Sequence, residues 1–132
     1  MVETTQGLIS IRECAQQFTE LYSAHGDDFP SFIEAASPVC ERLCQRPDLL
    51  TLGFPIGTHR TAMRLLYGDG DLSIIIAHEP RDIPVPIHDH GMWEMLGLYN
   101  GSLEHYMYER DDDGTIPGHA DLREIDRHVM QF

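Results

Sequence analysis

Residues 86–101 read Pro86-Ile87-His88-Asp89-His90-Gly91-Met92-Trp93-Glu94-Met95-Leu96-Gly97-Leu98-Tyr99-Asn100-Gly101. Successive side chains of an extended strand point to opposite faces. His88, His90 and Glu94 share parity, so a continuous strand would direct two imidazoles and a carboxylate to one side. That donor set suits a divalent transition metal. Leu96 and Leu98 continue the same parity, which predicts that this face turns inward. Buried His and Glu need partners, and a metal supplies one. The plainer reading is three polar residues on an exposed strand face, and the two leucines argue against it.

The bulk properties bound the rest. A chain of 132 residues is the size of one domain. Its 42% hydrophobic and 23% charged content is that of an ordinary soluble globular protein. A net charge of -13, from 9 basic and 22 acidic residues, argues against a basic face for nucleic acid or anionic membranes. It does not make the substrate cationic, since a local arginine overrides the global field. No apolar run approaches the roughly 20 residues of a membrane span. Met1 to Gln6 lacks the basic and apolar regions of a signal peptide. Cys14, Cys40 and Cys44 fall in helical-looking sequence without a CxxC motif. They read as small buried residues in a reducing cytoplasm rather than as a disulfide or zinc site.

Ser10-Ile11-Arg12-Glu13 fits a capping box. Ile11, Cys14, Ala15, Phe18, Leu21 and Tyr22 then recur at helical spacing as far as Gly26. A second helix is predicted between Pro30 and Gln45, burying Phe32, Ile33, Ala36, Val39, Cys40, Leu43 and Cys44. Asp48 to Leu52 suggests a further short turn. Beyond Pro55, strands are predicted at Thr61–Tyr67 and Leu72–Ala77 about a Gly68-Asp69-Gly70-Asp71 turn. Pro80, Pro84 and Pro86 keep the next segment from pairing as a central strand. Trp93–Tyr99 and Ser102–Glu109 flank Asn100-Gly101 as a predicted hairpin. A solvated loop over Arg110–Gly118 and a strand from Leu122 towards Phe132 complete the chain. The expectation is a mainly β protein with N-terminal helices. Residues 1–55 would pack as a helical segment on an antiparallel barrel or jelly roll spanning 56–132. About five strands are fewer than the eight of a closed jelly roll, so the barrel is expected to be incomplete in this chain.

The spacing H-x-H-x3-E-x6-G resembles the first motif of the cupin superfamily. His88, His90, Glu94 and Gly101 fill its fixed positions. The run Arg64-Leu65-Leu66-Tyr67, the Gly/Asp turn, the Pro-rich approach and His88-Asp89-His90-Gly91-x-Trp93 narrow the likeness. They resemble the bacterial cysteine dioxygenase-like (thiol dioxygenase) cupins. They look closer still to a little-characterised bacterial branch of metal-dependent cupins with a recurring H-D-H-x-M-W-x-x-x-G-x-Y-x-G pattern. The likeness covers roughly residues 30–132 and is specific between Arg64 and Gly101.

This resemblance implies a double-stranded β-helix and a mononuclear Fe(II) site, with Mn, Ni or Zn as alternatives. His88 and His90 match the first two ligands. Arg64 matches the arginine that binds the substrate carboxylate, with Arg60 as runner-up. The implied partners are a small carboxylate-bearing substrate, a thiol among the candidates, and O2. Neither nucleic acid nor a membrane is implied, and a homodimer is compatible. Glu94 departs from the thiol dioxygenase pattern, which has Cys or Gly there. It stands either as a further ligand, as in isomerase and decarboxylase cupins, or as an acid/base beside the metal. A metal-free binding cupin is a third reading. The third histidine ligand is either absent from this chain or His128, although His128 reads more readily as a strand-surface histidine. His119 reads as solvent-facing, and His105 as either near the site or on an outer face. Trp93, of opposite parity to the ligands, is expected to pack under a helix.

Overall fold

The computed structural model describes residues 7–57 and 62–132. The first residue of one predicted strand, Thr61, and the runner-up Arg60 lie outside the described residues.

A reciprocal cap starts the first helix. Ser10 Oγ accepts the Glu13 amide at 3.0 Å, and the Glu13 carboxylate accepts the Ser10 amide at 3.0 Å. Helix α1 (Ile11–His25) follows from this capping box and buries Cys14, Ala15 and Phe18. Gly26 closes it by donating its amide to the Tyr22 carbonyl at 2.7 Å. Helix α2 (Phe29–Cys44) carries a proline in its first turn, where no amide donor is needed. It buries Phe32, Ala36, Val39 and Leu43. Ile33, Cys40 and Cys44, also expected in that stripe, are half-buried. Pro38 sits inside α2 and cannot donate to the preceding turn. The neighbouring Ser37 hydroxyl donates to the Ile33 carbonyl at 2.7 Å.

Arg46 ties the two helices at their ends. Its Nε and Nη2 hold the Asp48 carboxylate at 2.9 and 2.7 Å, and its Nη1 reaches the Ile9 carbonyl at 2.7 Å. The guanidinium holds the Asp48 carboxyl below its ordinary range. A 3-10 turn, Leu49–Thr51, then buries Leu49.

Three antiparallel strands follow: β1 (Phe54–Ile56), β2 (Ala62–Gly68) and β3 (Ser73–His78), in that order across the sheet. The β2–β3 turn forms as predicted. Asp69 Oδ1 accepts the amides of Asp71 and Leu72 at 2.7 and 2.8 Å, and Asp69 Oδ2 accepts the Tyr67 hydroxyl at 2.7 Å. Strand β1 was not anticipated, because Pro55 lies in its middle. It is an edge strand, where a missing amide is tolerated. Ile74 and Ile76 of β3 are buried, as are Ile9, Phe18, Phe32 and Leu43. The first compact unit accordingly runs from Met1 to Gly97.

The second unit, Leu98–Phe132, is a ribbon. Its strands β4 (Ser102–Arg110) and β5 (Leu122–Gln131) pair antiparallel. The predicted hairpin of 93–99 with 102–109 does not form, since 93–99 is in no ladder and β4 pairs with β5 instead. The complementarity explains this choice. Tyr106 faces Arg127, whose guanidinium lies 4.6 Å from the ring centroid, and Glu109 faces Arg123 at 2.8 Å. Two N-terminal helices followed by small antiparallel sheets are therefore observed. Among the described residues the five strands form one three-stranded and one two-stranded sheet, with no closed barrel. No helix among them is long and apolar enough to cross a membrane.

Phe32 is fully buried and Ser10 is only a cap. Phe32→Ala is expected to lower stability by about 3–5 kcal/mol, and Ser10→Ala by about 1 kcal/mol. Urea unfolding followed by circular dichroism measures both, and equal losses would contradict this placement of the core.

Candidate functional site

The run carrying His88, His90 and Glu94 is in no regular secondary structure. Residues 79–101 belong to no strand ladder. Asp89 Oδ1 accepts the Gly91 amide at 2.8 Å, and Gly91 adopts a φ of 64°. This local turn suits glycine and interrupts the strand parity assumed from the sequence. The three polar residues nevertheless stay together. The His88 and His90 ring centroids are 4.9 Å apart, with planes at 78°. His90 Nε2 and Glu94 Oε2 are 3.0 Å apart.

These distances bear on whether the residues fit an ion. With metal–nitrogen bonds of about 2.0–2.1 Å and a tetrahedral angle, two ligating imidazoles place their centroids roughly 5 Å apart. The His88–His90 pair has that spacing. His88 Nδ1 lies 2.7 Å from the Pro86 carbonyl. A carbonyl only accepts, so Nδ1 donates here, and in the neutral ring that leaves Nε2 with the lone pair. Such an outer hydrogen bond is the usual way to orient a metal-binding imidazole. His90 and Glu94 form a second oriented pair in which a carboxylate oxygen is already within reach of the ring. The site thus offers two imidazoles and one carboxylate from seven consecutive residues.

The expected inward orientation is not observed. The His90 and Glu94 side chains are 52% and 50% exposed, and Leu96 is 46% exposed. The opposite face turns inward instead, because it carries the larger aromatic. Trp93 stacks on Tyr22 at 5.7 Å, meets Phe32 edge-on at 5.0 Å and lies 6.2 Å from Phe29. Packing of Trp93 under the helices agrees with its parity.

Gly97 provides a second anchor that the sequence did not disclose. A Cβ there would sit 2.6 Å from Cys40 Sγ and 2.8 Å from Cys44 Sγ. Only a glycine lets this backbone lie against both thiols. The Cys40 and Cys44 thiols hydrogen-bond to each other, which raises the former and lowers the latter. Burial pushes the Cys14 thiol up to about 12, and all three cysteines are free.

Arg64 is half-buried on β2 opposite Ile76. Its Nε and Nη2 donate to the Leu52 and Gly53 carbonyls at 2.5 and 2.9 Å. Among the described residues its other three N–H donors have no partner. His59 lies outside the described residues, and His78 ends β3 on the surface. His119 is exposed and contacts Asp121 at 3.1 Å. His128 is a strand-surface residue opposite His105.

Among the described residues, no group of three or more His, Cys, Asp or Glu side chains is arranged to hold a metal ion. The His88–His90–Glu94 cluster therefore provides two oriented imidazoles and an adjacent carboxylate rather than a finished shell. Comparison with protein-family models, curated proteins and solved structures yields no significant match.

The anchoring role of Gly97 can be measured. Gly97→Ala is expected to cost about 1–3 kcal/mol through overpacking against the two sulfurs. It should also red-shift the emission of Trp93, the single tryptophan. Gly70, whose added Cβ would meet nothing within 4 Å, is the control, and Gly70→Ala should leave both readouts unchanged. Equal behaviour of the two variants would refute the close approach.

Proposed function

We propose that the chain carries a cupin-type metal site and acts as a mononuclear non-haem iron dioxygenase on a small carboxylate-bearing substrate, with thiols as the first candidates. The observation that carries this reading is the His88–His90 pair. Its centroid spacing of 4.9 Å suits one shared ion, and the Pro86 carbonyl orients the His88 ring. The resemblance of residues 88–101 to the first cupin motif supports the jelly-roll assignment. Bound iron would supply the redox chemistry that brings substrate and O2 to one centre.

The chain's own residues have separate tasks in this reading. His88 and His90 hold the ion. Glu94, 3.0 Å from His90 Nε2, keeps that ring in place and can accept a proton beside the centre. Arg64 offers its remaining donors to the substrate carboxylate, where planar two-point recognition favours arginine over lysine. Three free thiols suit a reducing cytoplasm.

The direct Glu94–His90 contact favours one second reading. A carboxylate so close can ligate, which suits an isomerase or decarboxylase using Mn, Ni or Zn. Metal content and oxygen consumption separate the two. The iron reading expects about one iron per purified chain, lost on His88→Ala/His90→Ala, and oxygen uptake with cysteine or 3-mercaptopropionate. Arg64→Gln should raise KM for these acids at least tenfold while kcat is largely kept. Iron retained in the double variant would sink the site assignment. Mn, Ni or Zn in place of iron, without oxygen uptake, would select the second reading.

A further inference from the structure

The ribbon holds a histidine pair that the site on 88–94 does not use. His105 of β4 and His128 of β5 are direct cross-strand partners. In an antiparallel ladder such partners share a face, with Cβ atoms about 4.5–5.5 Å apart. Their ring centroids are 5.1 Å apart, with planes at 44°. That is again the separation, roughly 5 Å, at which two imidazoles bind one tetrahedral ion.

Two further features point to a ligand. Among the described residues, His105 Nδ1 is buried and has no hydrogen-bond partner. Buried polar atoms in proteins are almost always satisfied, so an orphaned imidazole nitrogen marks a place where a partner belongs. His128 has a carboxylate nearby but not hydrogen-bonded, with its Nδ1 3.6 Å from Asp126 Oδ2. A small side-chain rotation closes that gap to a hydrogen bond and leaves the other ring nitrogen free. Carboxylate–histidine pairs of this kind orient metal-bound imidazoles and raise their basicity. Met107 and Asp126 form the next cross-strand pair on one side, and Leu103 and Met130 on the other. The ladder therefore fixes the two Cβ positions on one face without help from a loop.

We infer that His105 and His128 form a second metal-binding site, for a borderline-soft divalent ion of the zinc, copper(II) or nickel class, with Asp126 as the positioning residue and water completing the coordination. Imidazole-rich sites select these ions over magnesium and calcium, which prefer oxygen donors. The site lies wholly within Leu98–Phe132, whereas His88 and His90 belong to the first compact unit. It goes beyond the proposed oxygenase centre and does not depend on it.

The test removes the other pair first. The His88→Ala/His90→Ala chain is dialysed against zinc, and about one zinc per chain is expected. Adding His105→Gln or His128→Gln should weaken that binding at least about 100-fold, and Asp126→Asn about 10-fold. In the unaltered chain, substoichiometric Ni(II) should broaden the ring-proton NMR signals of His105 and His128. This second measurement decides the matter if a substituted chain does not fold. No zinc on the His88→Ala/His90→Ala chain, binding indifferent to His105→Gln, or nickel broadening that spares both rings would overturn the site. Failure of the oxygenase reading shows separately, as absence of iron from the unaltered chain.

Discussion

Trp93 stacks on Tyr22 and meets Phe32 edge-on, and through it a run with no strand partner is held against two helices. Backbone hydrogen bonding normally fixes an extended segment, but residues 79–101 have no ladder to do so. Aromatic packing takes over that role. Burial of a large ring is worth several times a single net hydrogen bond. Gly97 adds a second point of attachment by lying against the Cys40 and Cys44 sulfurs. Between and before these anchors the polar residues turn outward. The half-exposure of His90 and Glu94 is the other side of the packing of Trp93 on the helices.

Charge sets a second constraint. The chain carries a net charge of -13, a field that attracts cations and repels anionic substrates. Both histidine pairs therefore sit in a molecule that favours arrival of a divalent ion. A carboxylate substrate has to be met by a local cation. Arg64 can act as one only with the donors left over from the Leu52 and Gly53 carbonyls. What the structure shows of that guanidinium is that it holds the chain before β1.

Elements defined by local chemistry were the legible ones. The Ser10/Glu13 cap, the apolar stripe of α2 and the Asp69 turn each depend on residues within a few positions of one another. Features set by distant partners were not legible. The Asn100-Gly101 dipeptide is a strong local turn signal, yet β4 pairs with β5 because Arg123 and Arg127 match Glu109 and Tyr106. In the candidate site, the grouping of His88, His90 and Glu94 was readable from spacing. Its outward orientation was not, because parity assumes a straight strand and Asp89 turns the chain at Gly91. The fit of Gly97 between two thiols likewise involves residues more than fifty positions apart.

Pro55 gives the three-stranded sheet a direction. On the β1 side, a three-residue edge strand lacks one of its amides, so an incoming strand would find a broken row of donors. On the β3 side, the row is six residues long and contains no proline. A further strand would therefore meet fewer backbone donors along β1 than along β3. One imino acid thus makes the two margins of the sheet unequal in donors.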